Sequence, residues 1–87
     1  MNSEIKTSFH VIQVTPRSDG SVNFRGNFSP DISITQQCRD LCALVRLLPA
    51  GSTCESDFGK KLRVTISQEQ TPRDLFQRVV ISMFGQI

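Results

Sequence analysis

Residues 61–84, KLRVTISQEQTPRDLFQRVVISMF, decide the fold because the spacing of their apolar residues changes once along the stretch. Leu62, Val64 and Ile66 alternate with polar residues, which is the pattern of a strand buried on one face only. Further along, apolar residues recur at helical spacing. This helical face contains Leu75, Phe76, Val79, Val80, Met83 and Phe84. The stretch therefore predicts a strand followed by an amphipathic helix.

The start of that helix carries the strongest local signal in the chain. Thr71 is suited to the N-cap, Pro72 to the first helical position and Asp74 to the first turn. Gly85 is typical of a helix end. These residues predict a helix that begins at Pro72 and ends just before the C-terminus.

The first part of the chain predicts a β-hairpin. Residues 7–15, TSFHVIQVT, are rich in β-branched and aromatic side chains, and a second strand is expected over about residues 21–28. Asp19 and Gly20 between them tolerate the positive φ of a tight turn. Gly26 interrupts the buried set of the second strand. It marks either a weak point near the strand end, or a bulge or close backbone approach by a helix.

A first helix is predicted between this hairpin and the strand at residues 61–67. Its apolar stripe contains Ile34, Cys38, Leu41, Cys42, Val45 and Leu48. Ser33 is a suitable N-cap, and Pro49 ends the helix, which gives a helix over residues 34–48. Residues 50–60, AGSTCESDFGK, have no periodicity and predict a surface connection.

These elements predict a two-layer α+β fold of order ββαβα. Two helices are expected to cover one face of a three-stranded antiparallel sheet. If the first helix crosses over the sheet, the third strand pairs beside the first and the sheet order is 2-1-3. The 87 residues are enough for one hydrophobic core and too few for two, so residues 1–87 are predicted to form a single domain.

The bulk charge argues against a nucleic-acid-binding protein. The chain has ten basic and eight acidic residues, which gives a net charge of +2, and its sequence shows no basic arm. Domains that bind nucleic acid usually carry a stronger and more segregated positive charge, because they neutralise phosphates.

The distribution of apolar residues and cysteines predicts a cytoplasmic protein. No secretory leader is visible at the N-terminus, and no stretch approaches the roughly 20 apolar residues of a membrane-spanning helix. We therefore expect no membrane partner. Three cysteines are an odd number for a disulfide framework and fit reduced thiols.

The cysteines are the first candidates for chemistry. Cys38 and Cys42 lie one helical turn apart, and with Cys54 and His10 they have the ligand types of a structural zinc site. Both helical cysteines lie within the apolar stripe, however, where a free thiol packs as a small hydrophobic group. Cys54 lies beside Glu55 in the predicted connection, so we expect it to be an exposed surface thiol.

No set of residues predicts a reaction. His10 is the only histidine, and no serine, cysteine or aspartate motif around it suggests a catalytic triad. The tripeptide Asp57-Phe58-Gly59 matches a metal-binding motif of protein kinases, but the other kinase motifs are absent and the chain is too short. The sequence therefore predicts a protein without catalytic residues, metal or cofactor.

A binding surface is the better hypothesis, and part of it is basic. Arg25, Lys61 and Arg63 are predicted to project from the outer face of the sheet, away from the helices. They suit phosphates or an acidic partner. The simpler interpretation is a solvated face whose charges keep edge strands from aggregating.

The rest of the predicted surface is apolar. In the first strand Phe9 and Val11 point to one side, while Ile12 and Val14 point to the other. The centre of the outer face is therefore expected to be partly apolar. A bulge, a terminal segment or a second copy of the chain would account for this strip.

Together these features predict a small non-enzymatic regulator or inhibitor that binds a protein through its sheet face or edge. Pairing with a second copy, as a homodimer, is a second expectation. The alternative is a nucleic-acid-binding module. It would use the basic residues of the sheet with Arg39 or Arg46 of the first helix.

Overall fold

The computed structural model describes residues 9–59 and 62–85, which form four strands and two helices. In chain order these are β1 (Phe9–Pro16), β2 (Val22–Phe28), α1 (Ile34–Arg46), β3 (Thr53–Asp57), β4 (Arg63–Ser67) and α2 (Pro72–Phe84). The α+β class is confirmed. The order is ββαββα, so the predicted order ββαβα lacks one strand.

The sheet is mixed and has the order β1-β2-β3-β4. The outer pairs β1–β2 and β3–β4 are antiparallel, and the central pair β2–β3 is parallel. The predictions of a three-stranded antiparallel sheet and of the order 2-1-3 are therefore wrong. A parallel pair requires a crossover connection, and α1 supplies it by joining β2 to β3. As a result, β1 and β4 are the two edges of the sheet.

The missing strand is β3, which lies in the segment predicted as a surface connection. Along β3 the residues alternate, with Cys54 and Ser56 buried and Asp57 exposed. Cys54 pairs between strands β2 and β4, at the centre of the sheet. The prediction that its thiol is exposed is wrong, because it assumed a loop at this position.

Both helices begin where their capping residues predict. The hydroxyl oxygen of Ser33 accepts a hydrogen bond from the Gln36 amide at 3.2 Å, and that of Thr71 accepts from the Asp74 amide at 3.1 Å. Helix α1 ends at Arg46, two residues before the predicted end, and Gly85 caps α2. The two amphipathic helices are therefore confirmed.

The core lies between the helices and one face of the sheet. Its buried residues are Phe9, Cys38, Leu41, Cys42, Val45, Cys54, Phe58, Val64, Ile66, Leu75 and Val79. Helix α1 packs against β3, β4 and α2, so the helical layer covers the β3–β4 half of the sheet. At the start of β1, the Phe9 ring lies 4.9 Å from that of Phe28 between centroids. Beyond Phe9, every residue of β1 is exposed.

The turn between β1 and β2 forms at the predicted position. The Asp19 carboxylate accepts hydrogen bonds from the Ser21 hydroxyl at 2.6 Å and from the Ser21 amide at 3.0 Å. These two bonds lower the pKa of Asp19, because they stabilise its charged form. Gly20 has a φ of 90°, the conformation for which glycine is suited.

Candidate binding surface

A β-bulge divides edge strand β1. Val11 lies opposite Gly26 of β2, and Gln13 lies opposite Arg25, the next residue back along β2. Ile12 is therefore the extra residue of the bulge. Bulges increase the local twist and interrupt the regular ladder of hydrogen bonds. This strand is consequently less regular than its sequence suggests.

Gly26 makes the bulge possible. A Cβ atom at this position would overlap the carbonyl oxygen of His10 and would lie 2.8 Å from Cζ of Phe9. Of the two interpretations of this glycine, the structure supports the bulge with close backbone approach. The approaching backbone belongs to β1, and not to a helix.

The bulge changes which faces the apolar residues of β1 occupy. Residues directly opposite each other in a strand pair point to the same side of the sheet. Val11 lies opposite Gly26 and Val14 opposite Phe24, so both valines point to the helix-bearing side although they are three residues apart. The predicted division, with Val14 on the outer face and Val11 on the other, is wrong because it assumed uninterrupted alternation.

These apolar residues remain open to solvent. The exposed fractions are 49% for Val11, 61% for Ile12 and 49% for Val14. Among the described residues, β1 pairs only with β2, so its other side presents backbone groups that no described strand occupies. We call Val11, Ile12 and Val14, with the free backbone of β1, the β1 edge surface. It combines backbone hydrogen-bonding groups with an apolar strip.

Strand β4, the opposite edge, is shorter and is partly covered by one side chain of α2. It has five residues, and Nη2 of Arg78 in α2 donates a hydrogen bond to the carbonyl oxygen of Thr65 at 2.9 Å. Nε of Arg63 pairs with the Asp57 carboxylate at 3.0 Å. A short strand whose central carbonyl is already occupied is a poor template for another strand.

The outer face of the sheet is polar at its centre. The Asn23 amide donates to the Glu55 carboxylate, and the Thr53 hydroxyl donates to the Asn23 oxygen, both at 2.7 Å. Nη2 of Arg17 reaches the Thr53 hydroxyl at 2.9 Å. The expectation of an apolar strip at this centre is wrong, because β1 lies at an edge and not between two other strands.

The predicted basic residues do not form one patch. Arg25 lies on β2 and Arg63 on β4, about 10 Å apart across the sheet, and their partners on β3 are two residues apart along it. Strand β3 between them places Glu55 opposite Arg25 and Asp57 opposite Arg63. Lys61 lies outside the described residues.

The predicted apolar and basic residues are also separated from each other. Ile12 and Val14 lie on β1, and Arg63 lies three strand spacings away, about 14 Å across the sheet. Of the predicted basic residues, Arg25 is the nearer, on the neighbouring strand β2. The structure thus brings together Ile12, Val14 and Arg25, and leaves Arg63 at the covered edge.

The three cysteines lie in the core. Burial and the neighbouring Cys42 raise the pKa of Cys38 to about 11 and that of Cys54 to about 12, and burial also raises the pKa of Cys42. Burial therefore disfavours the thiolate, which is the nucleophilic form of cysteine. The prediction that Cys38 and Cys42 pack in the core is confirmed.

The described titratable groups also lack the geometry of a metal site. Within residues 9–59 and 62–85, no three His, Cys, Asp or Glu residues are placed to hold a metal ion. His10 is exposed on β1, opposite Asn27.

A second concave surface lies between the helices. It is a cleft of about 400 Å³ lined by Thr35, Arg39, Thr71, Pro72, Arg73 and Phe76. The sequence placed Phe76 on the buried face of its helix, yet its exposed fraction is 37%. The sequence contained one signal for this exposure, because Phe76 lies at the margin of the apolar stripe, next to polar positions.

Comparison with known protein families, with curated protein sequences and with solved structures found no match. Among the helices of the described residues, none combines the length and the hydrophobicity needed to cross a bilayer. Function is therefore inferred from the surfaces of the chain itself.

Proposed function

We propose that this chain is a small non-enzymatic regulator or inhibitor that binds a protein by pairing edge strand β1 with a strand of its partner. The observation that carries the proposal is the open edge of β1, in contrast to the shorter and partly covered edge of β4. In strand addition, backbone hydrogen bonds supply affinity, while side chains alternating along the strand supply specificity.

The apolar strip alone supports only weak binding. Burying the exposed half of three such side chains contributes about 1 kcal/mol each, or about 3 kcal/mol together. A micromolar complex needs about 8 kcal/mol. The backbone groups of β1 must therefore supply much of the affinity, which favours strand addition over simple docking on an apolar patch.

The bulge at Ile12 fits a selective edge. A regular, flat edge strand pairs indiscriminately with other edges and promotes aggregation, whereas a bulge restricts which strands fit beside it. A partner strand must match the interrupted spacing between Val11 and Gln13. The same irregularity that discourages aggregation thus selects the partner.

A nucleic-acid-binding module is the weaker proposal. Binding along a nucleic-acid backbone neutralises several phosphates and is favoured by a continuous positive surface. Glu55 and Asp57 lie opposite Arg25 and Arg63 in the sheet, so each of these two basic residues faces an acidic neighbour.

Site-specific photocrosslinking tests the proposal. A photoreactive amino acid replaces Ile12 on the open edge or, as the matched control, Thr65 on the covered edge. Both positions are exposed. In cells of the source organism we expect a protein adduct from position 12 and little or none from position 65. Equal adducts at the two positions, or none at position 12, would contradict strand addition at β1.

The mass and chemistry of the adduct separate the other hypotheses. An adduct of twice the 9.7 kDa chain mass identifies a homodimer formed through β1, and contradicts a regulator of another protein if no other adduct forms. An adduct that nuclease treatment removes supports the nucleic-acid alternative instead.

A further inference from the structure

The cleft between α1 and α2 is a second surface with its own chemistry. At one end of the helix pair, Nη2 of Arg46 donates to the carbonyl oxygen of Gln70 at 2.9 Å, which fixes the end of α1 against the start of α2. The cleft is lined by Arg39 of α1 and by Arg73 of α2. Both walls are therefore carried by regular helices.

Two arginines line the cleft without a carboxylate. Among the described residues, neither Arg39 nor Arg73 forms an ion pair or a side-chain hydrogen bond. The carboxylate nearest to Arg39 in sequence, Asp40, accepts a hydrogen bond from the Gln36 side-chain amide at 2.8 Å. Two guanidinium groups in the lining of one cleft make that lining positive, which favours an anion.

The remaining wall of the cleft is apolar. Phe76 exposes 37% of its surface, and Pro72 lies beside it in the lining. Hydroxyl groups of Thr35 and Thr71 are the other polar groups of the lining. A volume of about 400 Å³ falls in the range of pockets that hold small molecules, about 300–1,000 Å³.

We propose that this cleft binds a small molecule that carries a phosphate or carboxylate group on an apolar ring. The anionic group lies between Arg39 and Arg73, since guanidinium groups bind such oxygens with two parallel hydrogen bonds. The ring packs on Phe76 and Pro72. The site is independent of the β1 edge surface.

Titration of the full chain, followed by amide NMR shifts, tests this site with three defined probes. Phenyl phosphate carries both features, inorganic phosphate lacks the ring, and benzyl alcohol lacks the charge. We expect phenyl phosphate to bind most tightly and in a saturable manner. Its largest shifts should fall on the cleft residues Thr35, Arg39, Thr71, Arg73 and Phe76.

Variants assign the contacts. Arg39→Gln and Arg73→Gln should each weaken phenyl phosphate binding tenfold or more, because each removes a charged hydrogen-bond donor. Phe76→Leu should weaken phenyl phosphate but leave inorganic phosphate unchanged. The matched control Arg25→Gln, on the sheet, should change neither. All three cleft side chains are exposed, and unchanged shifts outside the cleft report that each variant is folded.

Three results would overturn the proposal. These are shifts without saturation, equal binding of benzyl alcohol, and an equal loss of affinity in Arg25→Gln. Because the crosslinking experiment reads position 12 on β1, failure of either proposal leaves the other intact.

Discussion

The two edges of the sheet differ in length, composition and cover. Strand β1 has eight residues, exposes three aliphatic side chains and, within residues 9–59 and 62–85, pairs on one side only. Strand β4 has five residues, and Arg78 of α2 occupies the carbonyl oxygen of Thr65. In the described part of the chain, one edge is therefore partly protected and the other is accessible.

Connectivity explains the difference. Helix α2 follows β4 in the chain and reaches that strand through Arg78. Helix α1 packs on β3 and β4. Nothing in the described part of the chain extends over β1 beyond Phe9. The far end of the sheet is consequently where a partner has access.

The largest expected effect is at Gly26, which permits the bulge of the open edge. Gly26→Ala should destabilise the protein by about 3 kcal/mol, since the new methyl group overlaps the His10 backbone and β1 must shift. Chemical denaturation measures the change. In the control Gly20→Ala, the Cβ has no neighbour within 4 Å and only the positive φ is penalised, about 1–2 kcal/mol. An equal or smaller loss in Gly26→Ala would contradict the bulge.

A smaller effect is expected when the covered edge is opened. Arg78→Met should lower the free energy of unfolding by about 1 kcal/mol, because it removes the hydrogen bond to Thr65. The same denaturation measurement applies. The control is Arg73→Met on the same helix. Its guanidinium forms no side-chain hydrogen bond among the described residues, so the loss in free energy of unfolding should be less than about 0.5 kcal/mol. If the two variants lose equal stability, Arg78 does not protect β4.

Strand β3, in the interior of the sheet, contains a position where a substitution should increase the free energy of unfolding. The hydroxyl of Ser56 is buried and has no hydrogen-bond partner among the described residues. Ser56→Ala should therefore stabilise the protein by about 1 kcal/mol, because it removes an unsatisfied polar group. Thermal unfolding measures the gain. A loss above about 1 kcal/mol would show that this hydroxyl has a partner.

The smallest effect on stability is expected on the β1 edge surface itself. Val14→Lys should change the free energy of unfolding by no more than about 0.5 kcal/mol, since Val14 is half exposed. It should nevertheless reduce the adduct formed from position 12, because a charge on an edge strand blocks pairing. Thr65→Lys, on β4, should leave that adduct unchanged. Equal adduct yields with and without the Val14→Lys substitution would contradict partner binding at this edge.

Periodicity accounts for the parts of the fold that the sequence predicted. The alternation at Leu62, Val64 and Ile66 and the helical stripes of α1 and α2 are strong because large apolar residues mark the buried side. In β3 the buried positions are held by Cys54 and Ser56, which are small and match the polar composition of a loop. Because β3 was not predicted, its parallel pairing with β2 was not predicted either, and the predicted strand order was wrong as a result.

The two binding surfaces were predicted less completely than the fold, and they differ in how much signal the sequence contains. The bulge had a visible signal, since Val11 and Val14 break strict alternation and Gly26 lies in the next strand. The cleft had none, because Arg39 and Arg73 are 34 residues apart and meet only through the packing of α1 on α2.

Amide hydrogen exchange of the chain, free and bound to the partner found by crosslinking, tests strand addition at β1 most directly. We predict that protection rises in Phe9–Pro16 on binding, as outward amides gain hydrogen bonds, and stays unchanged in Arg63–Ser67. Unchanged exchange in Phe9–Pro16, with new protection on the helices or on β4, would contradict binding at the open edge.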